Sequence, residues 1–151
     1  IDKYDLYRQD RTSKRGGGCL LYIKASFKHF AFDLDVTSFS GNYCFASIIL
    51  SPWQKAILGC IYYPPNSSSD DDVKLCAIFK LVSESDFNIK IIAGDFNFPE
   101  IDWISNFCPP RFQPFLDTIN FSNWSQLVRS STRDKHILDL IFTNDIAPLF
   151  A

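Results

Sequence analysis

Short apolar segments separated by polar breaks dominate the first half of the chain. Four of them have the length of a β-strand: residues 19–24, 30–36, 44–50 and 57–62. In the second of these, apolar side chains alternate with polar ones, which predicts a half-buried strand with Phe30, Phe32, Leu34 and Val36 on one face. Only a short proline-containing break separates the last two, so we expect a hairpin or meander of antiparallel strands there.

Helical and strand patterns alternate in the second half. After a break rich in proline and serine, three aspartates open a helix over residues 70–84. A strand over 89–93, a helix over 112–120, a short strand over 125–128 and a final strand over 137–143 follow. No linker and no repeat divides the pattern, which predicts one α+β or α/β sandwich-like domain over residues 1–151.

Composition agrees with a packed domain, since 46% of the residues are hydrophobic and 16% are aromatic. No apolar run approaches the roughly 20 residues that cross a bilayer, so no membrane association is expected. The net charge of −2 argues mildly against tight, independent binding of nucleic acid, which usually needs a basic surplus. The basic residues do cluster early, around Arg8, Arg11, Lys14 and Arg15, either as a solvated loop or as a phosphate contact.

The five cysteines are an odd number without CxxC spacing, and the chain has only two histidines. Three of the cysteines, Cys19, Cys44 and Cys60, fall inside apolar runs. A zinc site therefore does not assemble from the sequence, and we interpret these residues as buried reduced thiols of an intracellular protein.

Asp95 and Asn97 follow directly on the buried strand 89–93 and Gly94. Residues two apart point to the same side of a strand, so a carboxylate and a carboxamide converge at its carboxyl end. The carboxylate could orient and deprotonate a water or share a hard cation such as Mg²⁺, and the amide could donate to a phosphate oxygen. An Asx-type turn at the end of a strand is the alternative.

Asp139 is a single acid in an otherwise apolar strand, where an ionised carboxylate is costly unless it has a partner or a metal. The alternative is an edge strand with Asp139 facing water. Tyr62 ends a strand just before a proline loop, where its hydroxyl could reach a phosphate or its ring could simply pack. His136 lies three residues from Asp139, on the opposite side of a strand, and is interpreted as a surface residue.

Together these segments resemble the endonuclease/exonuclease/phosphatase superfamily, and most closely the endonuclease domain of non-LTR (LINE-type) retrotransposons. The resemblance covers nearly the whole chain, with its segments in the order that the family has them. The matching stretches are residues 7–11 with 16–18, 59–66, 93–97, 131–133 and 138–144. The step Gly94-Asp95-Phe96-Asn97 is fairly specific, and the ordered set is strong.

The resemblance implies a four-layered α/β sandwich that cleaves a phosphodiester, DNA being the expected substrate, with Mg²⁺ or Mn²⁺. It implies that Tyr62 and Asn97 bind the phosphate, that Asp95 positions or activates the water, and that Asp139 orients a histidine. Thr132 and Arg11 become further candidates for substrate contact. A retrotransposon origin would imply a nuclear location.

Two features of the family pattern have no match in the sequence. The asparagine and the metal-binding glutamate of the family's first strands have no counterpart, and neither does its late Ser-Asp-His. The resemblance therefore implies a partial domain, truncated at both ends and inactive by itself. Two other functions stay open: a small-molecule phosphatase or phosphodiesterase of the same superfamily, and a non-catalytic remnant that keeps the fold.

Overall fold

The computed structural model describes residues 2–10 and 18–145. In this part of the chain, strands precede and follow two α-helices. The elements are β1 (Tyr4–Asp10), β2 (Gly18–Lys24), β3 (Lys28–Ala31), β4 (Asn42–Ser51), β5 (Gln54–Tyr62), α1 (Ser69–Glu84), β6 (Ile89–Asp95), a 3-10 turn (Pro110–Phe112), α2 (Gln113–Phe121), β7 (Ser125–Gln126) and β8 (Asp139–Thr143).

Six strands form one mixed sheet in the order β3-β4-β5-β6-β8-β7, and β1 and β2 form a separate antiparallel pair. Strands β4 and β5 are the antiparallel hairpin that the sequence predicts. The only parallel pair of this sheet joins β5 to β6, and α1 makes the crossover between them. Parallel neighbours need such a crossover, because the end of the first strand and the start of the second lie at opposite edges of the sheet.

Alternation along the strands gives the six-stranded sheet two buried faces. Phe45 and Ile57 point to the main core beneath α1 and α2, whereas Ala46 and Ile48 point to a smaller core that contains Ile23 of β2. The described residues thus form three layers: helices, the six-stranded sheet and the β1–β2 pair. These are layers of the predicted α/β sandwich, and the mixed sheet with its helices confirms that fold class. A second helical layer is not among the described residues.

Residues 30–36 differ from the prediction of a half-buried strand. Strand β3 ends at Ala31, and the Phe30 side chain on it is exposed. Phe32, Leu34 and Val36 still pack against the main core, but from an irregular segment. The alternation therefore predicts burial correctly for these three side chains but not for Phe30, and it predicts the conformation of most of the segment wrongly. Strand β1 was not predicted at all, because its three apolar side chains, Tyr4, Leu6 and Tyr7, do not keep to one face and nearly every position on it is exposed.

Aromatic rings fill the main core, as the composition suggests. The ring of Phe79 on α1 lies within 5.0–6.0 Å, centroid to centroid, of four other rings that belong to the loops, helix and strand around it: Phe96, Phe115, Trp124 and Phe142. Three of these four contacts are edge-to-face, which aromatic pairs favour. Phe79 therefore joins α1 to α2 and to the centre of the sheet.

We expect Phe79→Ala to lower the free energy of unfolding by about 3–5 kcal/mol, because it leaves a cavity among rings that cannot all relax. Phe121→Ala is the matched control, since that side chain is 84% exposed and should change stability little. Urea unfolding followed by far-UV circular dichroism measures both. Equal losses in the two variants would contradict this account of the core.

A capping box fixes the start of α1, just after the proline loop. The Ser68 hydroxyl accepts a hydrogen bond from the Asp71 backbone N–H, and the Asp71 carboxylate accepts one from the Ser68 backbone N–H. The same carboxylate accepts from the Ser40 N–H at 2.9 Å. Burial alone would raise the pKa of Asp71, but these hydrogen bonds outweigh it and lower that pKa. The ionised carboxylate thus ties the loop before α1 to the segment before β4.

All five cysteines are free thiols, and all except Cys60 are buried. Cys44 lies opposite Cys60 in the β4–β5 register. The expectation of buried thiols is confirmed for Cys19 and Cys44, and Cys60 is half-buried. No helix among residues 2–10 and 18–145 has both the length and the apolar character needed to cross a membrane.

Candidate active site

One row of residues crosses four strands of the large sheet at the end where β6 finishes. Asn42 pairs with Tyr62, Tyr62 with Asp95, and Asp95 with Asp139. Residues that are directly paired across strands put their side chains on the same face. Three of the residues predicted from sequence, Tyr62, Asp95 and Asp139, are therefore neighbours in space. Asn42 is a fourth member of the row that the sequence did not single out.

The two oxygens of Asp95 have different surroundings. Oδ2 lies 3.3 Å from Nη2 of Arg133 in an ion pair. Oδ1 is buried and has no hydrogen-bond partner among the described residues. A buried carboxylate oxygen without a partner is costly, and such atoms commonly mark a place for a water, an ion or a substrate group. Asp95 is thus held through one oxygen, while its other oxygen is buried without a partner.

A tight hairpin presents Arg133 to Asp95. The backbone N–H groups of Arg133 and His136 each donate a hydrogen bond to the carbonyl of the other residue. Asp134, between them, has a left-handed φ of 53°. His136 Nδ1 lies 3.1 Å from the carbonyl oxygen of Pro99, which links the hairpin to the loop after β6. His136 is exposed, as the sequence predicts. We refer to residues 131–136 as the arginine hairpin.

Thr132 connects this hairpin to the start of β8. Its Oγ1 accepts hydrogen bonds from the backbone N–H groups of Leu138, at 3.0 Å, and Asp139, at 3.1 Å. The role expected from sequence was substrate contact. The observed contacts are with the backbone, so Thr132 is a positioning residue for Asp139 in this structure.

We expect Thr132→Val to speed hydrogen exchange at the Leu138 and Asp139 amides by roughly five- to tenfold, because each loses a hydrogen bond worth about 1 kcal/mol. Thr132→Ser keeps the acceptor and should exchange as the unmodified chain does. Exchange monitored by ¹H–¹⁵N spectra measures both. Unchanged exchange in the valine variant would mean that the threonine does not hold this strand end.

Asp139 is not buried, which corrects the sequence-based premise. Its strand has one apolar face, formed by Leu140 and Phe142 in the main core, whereas Asp139 and Ile141 are exposed on the other face. Nor is β8 an edge strand, since it lies between β6 and β7. The premise failed because Ile141 resembles a core residue in sequence but lies on the open face. Asp139 remains in the site because of its register with Asp95.

Asn97 lies outside β6, so the spacing argument that put it beside Asp95 does not hold. Strand β6 ends at Asp95, and Asn97 has a left-handed φ of 49°. Its Nδ2 donates to the Tyr63 carbonyl at 3.0 Å, and the Tyr63 N–H donates to the Asp95 carbonyl at 2.8 Å. Asn97 therefore fastens the end of β6 to the end of β5. One of the two N–H groups on Nδ2 suffices for this bond, which leaves the other for a phosphate oxygen.

Tyr63 also links the end of β5 to the proline loop and to α1. Its ring is buried and its hydroxyl donates to Asp72, which also accepts from Arg111 Nε at 2.9 Å. Burial, then the hydrogen bond to Asp72 and its negative charge, raise the pKa of Tyr63 far above its ordinary value. The phenol therefore stays neutral and remains a donor. This network gives the carboxyl end of β5 a fixed position.

Of the remaining predicted residues, Arg11 falls among residues 11–17, outside the described part of the chain.

Arg133 contacts the site through Asp95, and sequence reasoning did not single it out. It belongs to a stretch that matched the family, but no local pattern distinguishes an arginine that turns towards Asp95 from one that faces water. Its 55% exposed side chain is typical of a surface residue, and only its ion pair reveals it.

The described residues supply only part of a metal site. Asp95 and Asp139 offer hard carboxylate oxygens of the kind that Mg²⁺ and Mn²⁺ prefer. No group of three or more ligating side chains occurs among residues 2–10 and 18–145, however. The unpaired Oδ1 of Asp95 fits a cation or a cation-bound water, but two carboxylates do not make a complete binding site.

Similar proteins agree with this fold. The endonuclease domain of TRAS1, a telomere-specific non-LTR retrotransposon, superposes with a TM-score of 0.63 at 12% identity, covering 94% of this chain and 65% of that one. A humanized D. rerio TDP2 gives 0.60 at 17% identity, covering 97% and 63%, and the human Nocturnin catalytic domain gives 0.59 at 14%, covering 95% and 61%. The chain thus spans less than two thirds of the length of each. Identities this low show the fold alone.

Sequence comparison identifies the family more directly. No curated protein matches the chain. The family model Exo_endo_phos_2, described as endonuclease-reverse transcriptase, matches residues 57–148, which is more than half of the chain and includes all of the row from Tyr62 to Asp139. The chain therefore belongs to the Exo_endo_phos_2 family, within the endonuclease/exonuclease/phosphatase superfamily of hydrolases.

Proposed function

We propose that this chain is part of a DNA endonuclease domain of a retrotransposon-derived protein, which hydrolyses a phosphodiester with Mg²⁺ or Mn²⁺. The observation that carries the proposal is the buried, unpartnered Oδ1 of Asp95, at the carboxyl end of a central strand and beside Tyr62 and Asp139. The description of the matching family and the fold shared with the TRAS1 endonuclease domain support DNA as the substrate.

In the proposed reaction, Asp95 Oδ1 accepts a hydrogen bond from the attacking water and aligns it with the phosphorus atom. As the new P–O bond forms, this water loses a proton to the carboxylate, the bond to the leaving oxygen breaks, and that oxygen takes a proton from solvent. Tyr62 and the free N–H of Asn97 bind the non-bridging phosphate oxygens. Their neutral donors stabilise the growing negative charge on these oxygens without adding negative charge of their own.

Arg133 has two tasks in this proposal. Asp95 and Asp139 are adjacent on paired strands, and like charges at such positions repel. The guanidinium offsets this repulsion while the site is empty. When a phosphodiester enters, the same group can turn from Asp95 Oδ2 to a phosphate oxygen, because a half-exposed arginine has room to move. Thr132 acts indirectly, by holding Asp139 in the row.

A divalent cation would be bound in part by Asp95 and Asp139, with the remaining ligands from water, substrate or other residues. Bound there, it would polarise a phosphate oxygen and stabilise the negative charge of the transition state. It would also reduce the repulsion between DNA and a chain whose own charge is −2. A retrotransposon endonuclease acts on chromosomal DNA, so the proposal includes an intracellular and nuclear location.

The test is nicking of supercoiled plasmid by the protein that carries residues 1–151, with Mg²⁺, with Mn²⁺ and with EDTA. We expect conversion to open circles with either cation and none with EDTA. Nicking that is unaffected by EDTA would contradict metal dependence. Hydrolysis of small phosphate esters without any nicking would favour the small-molecule phosphatase instead.

A second candidate is a remnant that binds phosphate without cleaving it. The ion pair between Arg133 and Asp95, together with the incomplete set of metal ligands among the described residues, favours this reading. Such a protein would bind a short DNA duplex and slow its migration in a gel-shift assay. It would not cleave the duplex with either Mg²⁺ or Mn²⁺. Metal-dependent nicking would exclude this function.

A further inference from the structure

A polar pocket lies at the edge of the large sheet, between the loop after β6, the end of α2 and strand β7. Its volume is about 290 Å³. The side chains that matter for its chemistry are Trp103, Asn106, Asn120, Trp124, Gln126 and Arg129. None of the residues that line it is acidic, and one of them is a cation.

Three of these side chains carry buried polar atoms without a partner. Trp103, Trp124 and Gln126 are each more than nine-tenths buried, with 7%, 5% and 7% of their surface exposed. The indole Nε1 of both tryptophans and both Nε2 and Oε1 of the glutamine lack hydrogen bonds within the described part of the chain. A native domain has few such atoms, so four of them on residues that line one pocket call for an explanation.

This pocket is separate from the row that contains Asp95. Gln126 pairs with Phe142, so both side chains lie on the helix-covered face of the sheet. Asp139 lies three residues before Phe142 on the same strand and therefore faces the other way. A ligand in this pocket would bind across the sheet from the proposed catalytic residues.

The unpartnered atoms indicate what kind of ligand would fit. Two indole N–H groups and the two amide hydrogens of Gln126 make four donors against one acceptor, Oε1. Arg129 adds a positive charge, and within the described part of the chain its side chain makes one long hydrogen bond, of 3.5 Å from Nη1 to the Trp103 carbonyl. Several donors, one cation and no carboxylate match an oxyanion. A protonated oxygen of that oxyanion would satisfy Oε1.

We propose that this pocket is a phosphate-binding site, built by Trp103, Trp124, Gln126 and Arg129 and distinct from the catalytic row. The phosphate is either a free anion or a backbone group of a nucleic-acid strand that passes along the sheet edge. The alternative is that ordered water satisfies the four atoms. Because the site lies on the other face from Asp95, the proposal does not depend on catalysis.

The tryptophans provide the test. The chain has three tryptophans, so a ¹H–¹⁵N spectrum shows three indole N–H signals, which single Trp→Phe variants assign. We expect added inorganic phosphate, at constant ionic strength set with chloride and in the presence of EDTA, to shift the signals of Trp103 and Trp124 saturably. Trp53 is 86% exposed on the β4–β5 turn and its signal should not move.

Substitutions test whether the pocket itself causes the shifts. Arg129→Gln should raise the half-saturating phosphate concentration roughly tenfold or more, because it removes a charge-assisted hydrogen bond. Gln126→Leu should abolish saturation. Lys24→Gln is the matched control, since Lys24 is exposed on β2 and loses the same charge away from the pocket. Asp95→Asn should leave the titration unchanged, whether or not the protein nicks DNA.

The outcomes separate the alternatives. Phosphate should raise the melting temperature of the unmodified chain and not that of Gln126→Leu. No saturable shift, or equal shifts in the unmodified chain and in Arg129→Gln, would overturn the proposal, and a phosphate-independent gain in stability by Gln126→Leu would favour water. A thymidine oligonucleotide that shifts the same two signals and competes with phosphate identifies a nucleic-acid strand as the source. Shifts with inorganic phosphate alone identify the free anion.

Discussion

In the protein that carries residues 1–151, Asp95→Asn is expected to lower the rate of metal-dependent plasmid nicking by roughly 10²- to 10⁴-fold, the contribution typical of a positioned general base. The substitution keeps the size of the side chain and removes its charge and its ability to take a proton. It also ends the ion pair with Arg133, which spans 3.3 Å in the unmodified chain. Initial nicking rates at saturating Mg²⁺ measure the effect, and unfolding curves check that the variant is folded.

Asp86→Asn is the matched control for this prediction. Asp86 is fully exposed and forms an ion pair with Lys55 at the opposite end of the sheet, so its loss should leave nicking within about twofold of the unmodified chain. Comparable nicking by both variants would remove Asp95 from the catalytic role. Loss of nicking in both would point to nonspecific electrostatics instead of chemistry at one carboxylate.

Gly94→Ala is expected to be the most destabilising single substitution near the site. A Cβ atom at this position would lie 1.7 Å from the backbone oxygen of Ile61 and 2.7 Å from its carbonyl carbon. A backbone atom cannot rotate away as a side chain can, so β5 and β6 would have to separate. Overpacking of this kind costs about 1–3 kcal/mol or more. The pairing of Tyr62 with Asp95 would be lost with it.

Urea unfolding measures the loss, and nicking by any folded fraction reports on the row. Ala31→Val is the control, because it also adds carbon to a strand residue, but at an exposed position of β3, where a branched side chain is tolerated. A Gly94→Ala variant as stable as Ala31→Val would show that β5 and β6 are not packed as closely as the geometry indicates.

Much of the fold could be predicted from local pattern. The β4–β5 hairpin, α1, β6 and α2 all have apolar spacing and breaks that mark them without knowledge of their neighbours. The segment 30–36 and strand β1 could not be predicted in this way. The segment packs Phe32, Leu34 and Val36 against the core after β3 has ended, and β1 pairs with β2 while exposing almost every side chain. In both cases long-range contacts decide the backbone conformation, and a local pattern carries no information about them.

The candidate site, too, could be predicted from the sequence only in part. The sequence by itself determined that Tyr62 and Asp95 follow apolar segments and that Asp139 is a single acid within another, because a polar residue that ends or interrupts an apolar segment is visible in the local pattern. Only the tertiary structure decided that these three share one row, since strand order and register depend on how α1 carries the chain from β5 to β6.

Tertiary structure also decided which groups face them. Arg133 reaches Asp95 through a turn that no periodicity marks, Asn97 bonds to Tyr63 after β6 has ended, and Asp139 is exposed because its strand has one apolar face and not two. Residues 38 and 34 positions apart make the first two contacts. Local sequence determines what a segment can bury, whereas the face on which a polar group lies, and the partner that it meets there, depend on the packing of distant segments.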